Sequence, residues 1–473
     1  MSSPTITSAP PARSTRRWWA LTALALAQFL VVLDASIVNI ALPVLGRELQ
    51  MDTATLAWVI TAYVLAFGGL LLLGGRLADR FGHRRVFLIG VGGFVAASAL
   101  AGLSASSGML LAARAVQGAS AALLAPAALA LVSQIFPDSR ERARALGVWG
   151  AVAGMGSAAG VLLGGVLTAA LGWQSVFFVN VPVGLLVLVV IPLLLRRDVR
   201  AASTRLDVPG AVTITAALVS VVGALSAAER FGFAHPLTLG LAVAGIGLGV
   251  LFVVVERRSP APLVPLAIFR NRNLRTGNVV MLLVGAATVA LFFALSVYMQ
   301  AVLGYDALAA GLSQLPLAGA LVVAAGAVPA VIGRIGAKRT LVGSLVVLGA
   351  GLFWLAAAPS DAVFVAQLLG PTLLIGAGLG GAFVATTQLA MDGVAERESG
   401  LAGGLVNTAQ QIGGALGLAA LAALAATRTN DLAGAGASSA DALTGGFSWL
   451  FVGAGLIALL AAAATLGARD GRV

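Results

Sequence analysis

Two apolar blocks near residues 55–75 and 86–106 are joined by one polar segment, Gly75-Arg76-Leu77-Ala78-Asp79-Arg80-Phe81-Gly82-His83-Arg84-Arg85. Each block is long enough to cross the hydrocarbon core of a bilayer as a helix, which takes about 20 residues. The two outer glycines permit tight turning, and the aspartate can accept hydrogen bonds from helix N-terminal amides or from an arginine. The segment therefore predicts a short polar connection between two membrane-spanning helices.

The composition extends this prediction to the whole chain. The 473 residues are 59% hydrophobic and 10% charged, whereas soluble proteins carry about 25% charged residues. A water-soluble fold could not bury so much apolar sequence. Long uncharged blocks are helical in lipid, because their backbone N–H and C=O groups must hydrogen-bond to each other there. We predict fourteen spans, near residues 18–45, 55–75, 86–106, 108–135, 145–171, 174–195, 208–228, 236–255, 276–303, 308–333, 340–358, 362–391, 400–427 and 447–467.

The basic residues predict an orientation for these spans. Cytoplasmic loops collect Lys and Arg, and with the N-terminus inside, all but four of the 29 Lys and Arg fall on the cytoplasmic side. Three of the exceptions lie in outer loops (Arg47, Arg230 and Arg428), and Arg114 lies within a span. Successive loops lie on opposite sides of the membrane, so one helix too many or too few would place many basic residues on the outer side. We therefore predict a bacterial inner-membrane protein with both termini in the cytoplasm. The first apolar run is too long for a signal peptide.

Several functional classes are not expected from this sequence. There are no cysteines, so neither a disulfide framework nor a thiolate metal site is possible. The histidines, His83 and His235, fall in predicted loops, and no metal site is expected. The net charge of +11 is scattered over short loops, which does not favour nucleic-acid binding. No Walker-type phosphate loop is present, and the loops are too short to carry catalytic groups, so neither ATP-driven transport nor an enzyme is predicted.

An internal repeat organises the chain. Residues 79–85 match residues 333–339 at an offset of 254, and Glu141-Arg142 matches Glu396-Arg397 at an offset of 255. We predict two six-helix bundles, at 18–196 and 272–467, separated by two inserted helices with their flanking loops at 197–271. Cytoplasmic tails at 1–17 and 468–473 complete the chain. Parallel halves of this kind are typical of secondary transporters, which bind their substrate near the bilayer midplane at the interface of the halves.

Two charged residues stand within spans. Asp34 lies about 24 Å along the first span, at 1.5 Å per residue. A carboxylate at this depth is costly unless it faces a cavity or a partner, and low dielectric favours its neutral form, so it is a candidate for proton coupling or for recognition of a cationic substrate. A structural carboxylate is the alternative. Arg114 cannot lose its own proton and would bias a nearby acid or hold backbone carbonyls, unless it snorkels to the outer interface.

Here the sequence resembles the major facilitator superfamily, and specifically its fourteen-helix drug:proton antiporter branch. The likeness rests on Leu33–Pro43 in helix 1, on the segment 75–85, on Arg114–Gly118 in helix 4 and on Gly154–Gly165 in helix 5. Residues 172–184 and 400–414 also fit the branch. The resemblance implies an all-α membrane protein with the major-facilitator fold, in which two six-helix bundles and two inserted helices make fourteen transmembrane helices.

The resemblance also implies roles for particular residues. Asp34 and Arg114 would take part in proton coupling. The 75–85 segment would form a cytoplasmic latch between the halves that biases one access state, through Gly75, Asp79, Arg80, Gly82, Arg84 and Arg85. The helix-5 glycines Gly156, Gly160, Gly164 and Gly165 would pack a neighbouring helix as in exporters. Val161 departs from the usual proline there, which weakens the assignment to antiport but not to transport.

Polar and aromatic side chains within the spans are candidates for the substrate cavity, with helix packing as the alternative. They are Gln28, Trp58, Gln117, Tyr298, Gln300, Gln314, Gln388, Asn407 and Gln411. The leading hypothesis is a proton-coupled secondary transporter that exports hydrophobic or amphipathic drugs by alternating access. The alternatives are an exporter dedicated to one metabolite of the same organism and a proton-coupled importer of a small solute. The expected partners are a hydrophobic small molecule, protons and the lipid bilayer; no cofactor beyond the proton and no nucleic acid are expected, and the protein is expected to be a monomer.

Overall fold

A computed structural model describes residues 12–136, 138–195, 207–232, 234–394 and 398–469. Within these ranges the chain forms fourteen long helices, numbered here in chain order. The first seven are α1 (Ala12–Glu48), α2 (Thr53–Phe81), α3 (His83–Gly102), α4 (Ser107–Ile135), α5 (Ser139–Leu171), α6 (Ser175–Leu194) and α7 (Val208–Phe231). The others are α8 (Pro236–Arg258), α9 (Arg272–Val297), α10 (Ala307–Ile335), α11 (Ala337–Ala356), α12 (Leu369–Met391), α13 (Ser399–Gly434) and α14 (Ser439–Leu466).

The predicted all-α membrane fold is confirmed. Thirteen helices of the described chain are long and apolar enough to cross a bilayer, and α5 contributes the shorter apolar stretch Ala159–Leu171. Helix α6 is interrupted for one residue at Val179. Short π-helical turns extend α9 through Tyr298–Val302 and precede α12 at Phe364–Leu368. Residues 1–11 and 470–473 of the predicted tails and residues 196–206 between α6 and α7 lie outside the described residues.

Several helices extend beyond the predicted spans, because polar residues also continue the helices. Helix α1 begins at Ala12 rather than at residue 18, and α14 begins at Ser439 rather than at 447. The segment 75–85 is not a loop: α2 continues to Phe81 and α3 starts at His83. Arginines are good helix formers, so a charged segment at the membrane surface does not by itself end a helix.

One glycine makes each of the two matching helix junctions. Gly82 between α2 and α3 has φ 97°, and Gly336 between α10 and α11 has φ 84°. These are positive-φ conformations, which glycine adopts without the steric penalty of a Cβ atom. Each glycine caps the helix before it, because its amide donates to the carbonyl four residues earlier. The repeat seen in the sequence is therefore a repeat of this one-residue turn.

The helices pack as two groups with a seam between them. In the first group α1 packs on α5, and α4 packs on both α2 and α3; in the second, α9 packs on α13 and α12 packs on both α10 and α11. The groups meet where α2 packs on α13 and where α5 packs on α10. Helix α7 lies over the α2–α13 pair and carries α8 on its other side. The inserted helices therefore flank the seam.

Glycines allow the closest helix crossings within the first group. A Cβ atom on Gly118 of α4 would lie 2.2 Å from the carbonyl oxygen of Tyr63 in α2. One on Gly74 of α2 would lie 2.0 Å from the carbonyl oxygen of Ala122 in α4. No side chain fits at these distances, so the two backbones are in direct contact, as small residues permit in membranes.

Polar contacts join the two groups at the end of the bundle where α1 and α9 terminate. The hydroxyl of Ser296 donates to the carbonyl of Asn39 at 2.6 Å, and the side-chain amide of Gln300 donates to the carbonyl of Ile40 at 2.9 Å. At the same end, Gly165 of α5 packs against the backbone of Ala307 at the start of α10. The two groups are therefore tightly packed together at this end.

Candidate functional site

A buried ion pair lies inside the first group of helices. Asp34 is midway along α1 and Arg114 is on α4, and a guanidinium nitrogen of Arg114 lies 2.5 Å from the carboxylate of Asp34. The two side chains are 0% and 1% exposed. Removing an ion pair from water is costly unless further hydrogen bonds satisfy it. Snorkelling of Arg114 to the outer interface, left open by the sequence, is excluded by this burial.

Amide side chains complete the coordination of the Asp34 carboxylate. Its Oδ2 atom accepts from Arg114, and its Oδ1 atom accepts from Gln117 at 2.7 Å and from Asn180 at 2.9 Å. Gln117 also donates to the hydroxyl of Ser98 at 2.9 Å and accepts from Arg114 at 2.7 Å. The carboxylate of Asp34 thus has three side-chain donors, all of them within the membrane-spanning part of the fold.

The guanidinium of Arg114 is held by more than its acid. Its Nε atom donates to the carbonyl of Val59 on α2 at 2.9 Å. Its plane lies over the ring of Tyr63, 4.3 Å from the centroid, and Phe177 of α6 stands 5.8 Å away. Stacking on aromatic faces suits the weakly hydrated guanidinium. The arginine is therefore fixed in orientation as well as in charge.

Each member of this buried network comes from a different point of the chain. Asp34 lies on α1, Ser98 on α3, Gln117 on α4 and Asn180 at the start of the second part of α6. Sequence reasoning selected the acid, the arginine and Gln117, although Gln117 was assigned to the substrate cavity. It missed Ser98 and Asn180 as site residues. Asn180 belongs to the quoted stretch 172–184, and a buried asparagine within a span was the signal available.

The network ties the charge of Asp34 to the positions of its neighbours. Three donors occupy three of the about four lone-pair sites of its carboxylate. Protonation would remove the partner charge of Arg114, which is buried and cannot release its own proton. Because Asp34 is 0% exposed, proton exchange with water requires a different arrangement of the helices.

The residues of the predicted latch surround the α2–α3 junction. The carboxylate of Asp79 lies 3.2 Å from a ring nitrogen of His83, and its predicted bond to an arginine or to helix amides stays a prediction. The other ring nitrogen of His83 lies 3.1 Å from the side-chain amide of Gln134 on α4. Arg84 donates to the carbonyl of Pro192 in α6, at 3.4 Å. These contacts lie within the first group of helices, and the role of Gly75, Arg80, Gly82 and Arg85 as a latch stays a prediction.

The helix-5 glycines face two different helices. Cβ atoms on Gly156, Gly160 and Gly164 would touch α1 at Phe29 and Val32, at Leu33 and Ser36, and at Ile37 and Ile40. Asp34 lies on α1 between these contacts. A Cβ atom on Gly165 would instead lie 2.7 Å from the carbonyl of Ala307 in α10, in the other group. The glycine face therefore supports the helix that carries the buried acid, and its last residue reaches across the seam.

The remaining cavity candidates are spread over α1, α2, α10, α12, α13 and the π-helical turn after α9, and their role in substrate binding stays a prediction. Trp58 donates to Ser226 on α7, Tyr298 donates to the carbonyl of Pro359, and Gln300 bonds across the seam to α1. Gln388 lines a cavity of about 580 Å³ between the ends of α10, α11 and α12. Gln28 and Gln314 have buried side-chain atoms without a partner among the described residues. Gln411 packs on Gly68 of α2, and Asn407 is half-buried one turn earlier on α13.

Comparison with known proteins gives the family. The model of the Major Facilitator Superfamily matches residues 24–418. The chain is 43% identical over 412 residues to the puromycin resistance protein pur8 of Streptomyces alboniger. This alignment covers 86% of this chain and 81% of that protein. It is 41% identical over 428 residues to the cephamycin export protein CmcT of Amycolatopsis lactamdurans, with 88% and 87% covered.

Solved structures show the same arrangement of helices. The crystal structure of an auto-inhibited POT family peptide transporter superposes with a TM-score of 0.70 over 97% of this chain and 98% of that one, at 19% sequence identity. The structure of the POT family transporter PepTSo gives 0.68, with 96% and 98% covered, at 15% identity. At these identities the comparison concerns the fold alone.

Proposed function

Because the chain belongs to the Major Facilitator Superfamily, we propose that it is a secondary transporter that exports small drug-like compounds in exchange for protons. Asp34 is the group that binds and releases the proton. The observation that carries this role is the buried network in which three donors hold the Asp34 carboxylate. The relatives named for puromycin resistance and cephamycin export support export of drug-like compounds.

The proposed cycle moves Asp34 between two environments. In the occluded arrangement the ionised carboxylate is bonded to Arg114, Gln117 and Asn180. When the helices rock and water reaches the site, a proton binds Asp34 and its bond to Arg114 is released. The electrical part of the proton gradient supplies about 2.3 kcal/mol per charge per 100 mV, which is comparable with the net contribution of a hydrogen bond to a charged group, about 1.5–3 kcal/mol.

Helix α1 provides the mechanical link in this proposal. It carries Asp34, packs on the glycine face of α5, and bonds to α9 through the carbonyls of Asn39 and Ile40. A change in the charge of Asp34 therefore acts on the same helix that fastens the two groups together. Alternating access follows if these few seam contacts break while each group moves as a unit.

The test is substrate uptake into everted membrane vesicles under an imposed proton gradient. Asp34→Asn keeps an acceptor for Arg114 but has no carboxyl group to protonate, so proton-driven uptake should fall to the level of vesicles without the protein. The matched control is Asp361→Asn, which removes an exposed acid at the end of the bundle where α11 terminates, and which should transport normally. Uptake at the wild-type rate by the Asp34 variant would remove this residue from the coupling role.

A narrower substrate range is the second candidate. The puromycin, cephamycin and tetracenomycin C relatives are each named for one compound, whereas a further relative is named multidrug resistance protein Stp, at 33% identity. Efflux of a panel of antibiotics from cells that make the protein, with and without an uncoupler, separates the two. Uncoupler-sensitive efflux of a single compound favours the dedicated exporter, and efflux of several unrelated ones favours the multidrug pump.

A further inference from the structure

The inserted helices bring two buried acids to the seam between the groups. Asp207 precedes α7 and Glu256 lies in the last turn of α8, and they are 5% and 3% exposed. Each uses one oxygen: Oδ1 of Asp207 accepts from the amide of Gly210 at 2.9 Å, and Oε2 of Glu256 accepts from the amide of Val264 at 3.1 Å. The second oxygen of each acid is buried and has no partner among the described residues.

These two unpartnered oxygens meet over one glycine. A Cβ atom on Gly210 would lie 2.7 Å from Oε1 of Glu256 and 3.0 Å from Oδ2 of Asp207. Both oxygens therefore stand within about one atomic contact of the same point. Two ionised carboxylates that face one point in a buried site repel each other. A proton held between them in an O–H···O⁻ hydrogen bond would remove this repulsion and give both oxygens a partner.

Within the described part of the chain, the neighbours of the pair come from α2, α7, α8 and α13 and from the segment after α8. From α2, Arg76 faces the pair and donates to the carbonyl of Pro262 at 2.9 Å. On α8 itself Arg257 and Arg258 are exposed. The other neighbours are apolar and form one cluster with Ala211 of α7, consisting of Leu72 and Leu73 of α2, Phe252 of α8, Leu263, Val264, Ile268 and Phe269 of the following segment, and Leu401 and Leu405 of α13.

The segment that follows α8 depends on this pair. It lies between α2, to which Pro262 is bonded through Arg76, and α13, against which Leu263 and Val264 pack. Its amide at Val264 is bonded to Glu256. We propose that Asp207 and Glu256 bind one shared proton, and that this protonated pair fastens the segment 259–265 across the seam between the two helix groups.

The proposal describes a proton site separate from Asp34. The proton is taken up from water and returned to it at the end of the bundle where α8 terminates, and no other bond changes. When the proton is lost, the two carboxylates repel each other, Glu256 turns toward water and the amide of Val264 loses its acceptor. The segment 259–265 then leaves the seam, and the contact of the inserted helices with α13 loosens.

The absence of cysteine in the chain makes the segment easy to probe. Leu263→Cys places a single thiol at a position that is 3% exposed, and its rate of labelling by N-ethylmaleimide reports on release of the segment. The rate is measured on purified protein between pH 5.5 and 9 and divided by the rate for Ala435→Cys, an exposed position between α13 and α14. This ratio should rise about tenfold with pH, because release exposes the thiol.

Amide substitutions decide whether the two acids cause this rise. The amide of Asp207→Asn, or of Glu256→Gln, supplies the hydrogen that the shared proton supplies, so each should give a low ratio that is constant with pH. Asp361→Asn should retain the rise, and so should Asp34→Asn, which makes the outcome independent of the proposed drug–proton exchange. A constant ratio in the unsubstituted background, or a rise that persists in either amide variant, overturns the proposal. So does failure of both amide variants to fold.

Discussion

The two groups of helices follow one plan but differ in their interiors. At the offset of 254, Thr288 stands on α9 where Asp34 stands on α1. The crossing of Gly118 with Tyr63 matches that of Gly376 with Leu317, which places Thr372 of α12 where Arg114 stands on α4. Thr288 donates to the carbonyl of Val284 at 2.7 Å, and Thr372 donates to the carbonyl of Leu368 at 2.8 Å. In the second group these side chains therefore hydrogen-bond to the backbone carbonyl four residues earlier, whereas in the first group they join a network from four helices.

This difference separates the tasks of the two groups. In the proposed mechanism the first group holds the charged side chains that respond to a proton, and the second provides the partner against which the first group moves. Structural needs shared by the groups, namely glycine at the junctions and close helix crossings, recur in both. The chemistry does not recur. Substitutions made in pairs, one in each group, test this division.

The largest effect is expected from Arg114→Met. It leaves the Asp34 charge buried with only amide partners, which should cost about 3–5 kcal/mol of stability. The comparison change Leu368→Met, at a fully buried position of the second group, conserves volume and should cost less than about 1.5 kcal/mol. Thermal unfolding of the purified proteins in detergent measures both. The double variant Asp34→Asn with Arg114→Met should recover part of the loss; equal effects of the two single changes would contradict the asymmetry.

Close helix crossings should respond equally in the two groups. Gly118→Ala places a methyl group 2.2 Å from the carbonyl of Tyr63, and Gly376→Ala of α12 places one 2.2 Å from the carbonyl of Leu317 in α10. Both require the backbones to separate, at about 1–3 kcal/mol. Gly92→Ala in α3 meets open space and serves as the control, with no loss of stability. The same unfolding measurement applies, and a loss confined to one crossing would refute the shared plan.

The helix junctions should again show an equal effect in the two groups. Gly82→Ala and Gly336→Ala force a residue with a Cβ atom to adopt φ of 97° with ψ of 133° and φ of 84° with ψ of 158°, which costs about 1–3 kcal/mol each. Transport should also decrease for Gly82→Ala if the junction belongs to the predicted latch, and not for Gly336→Ala. Unfolding and vesicle uptake, measured on the same preparations, separate the structural cost from the functional one.

The smallest effect is expected from Thr288→Val. Its hydroxyl bonds only within its own helix, so stability should change by less than about 0.5 kcal/mol, and proton-driven uptake should remain. Because Thr288 is the counterpart of Asp34, this variant is the control for Asp34→Asn. Loss of uptake in Thr288→Val would show that the second group also takes part in coupling.

The membrane environment made the spans of this fold predictable from the sequence but not the ends of its helices. The helix count, the all-α class and the repeat could be predicted from the sequence. A chain that crosses lipid must make its backbone hydrogen bonds within itself, which a helix of about 20 residues does. Helix ends could not be predicted, since Phe81 and His83 continue helices beyond the apolar blocks. Apolarity marks where the bilayer lies, whereas a helix continues for as long as its backbone remains bonded.

The candidate site divides in the same way. Charge within a span singled out Asp34 and Arg114, because such a residue is costly in lipid wherever it points. Ser98 and Asn180 carry no comparable signal, and a helix that is apolar on all sides gives no periodicity from which to read its orientation. The sequence alone thus determined that a buried acid and a buried arginine exist. Only the packing of α1, α3, α4 and α6 decided that they meet, and with which partners.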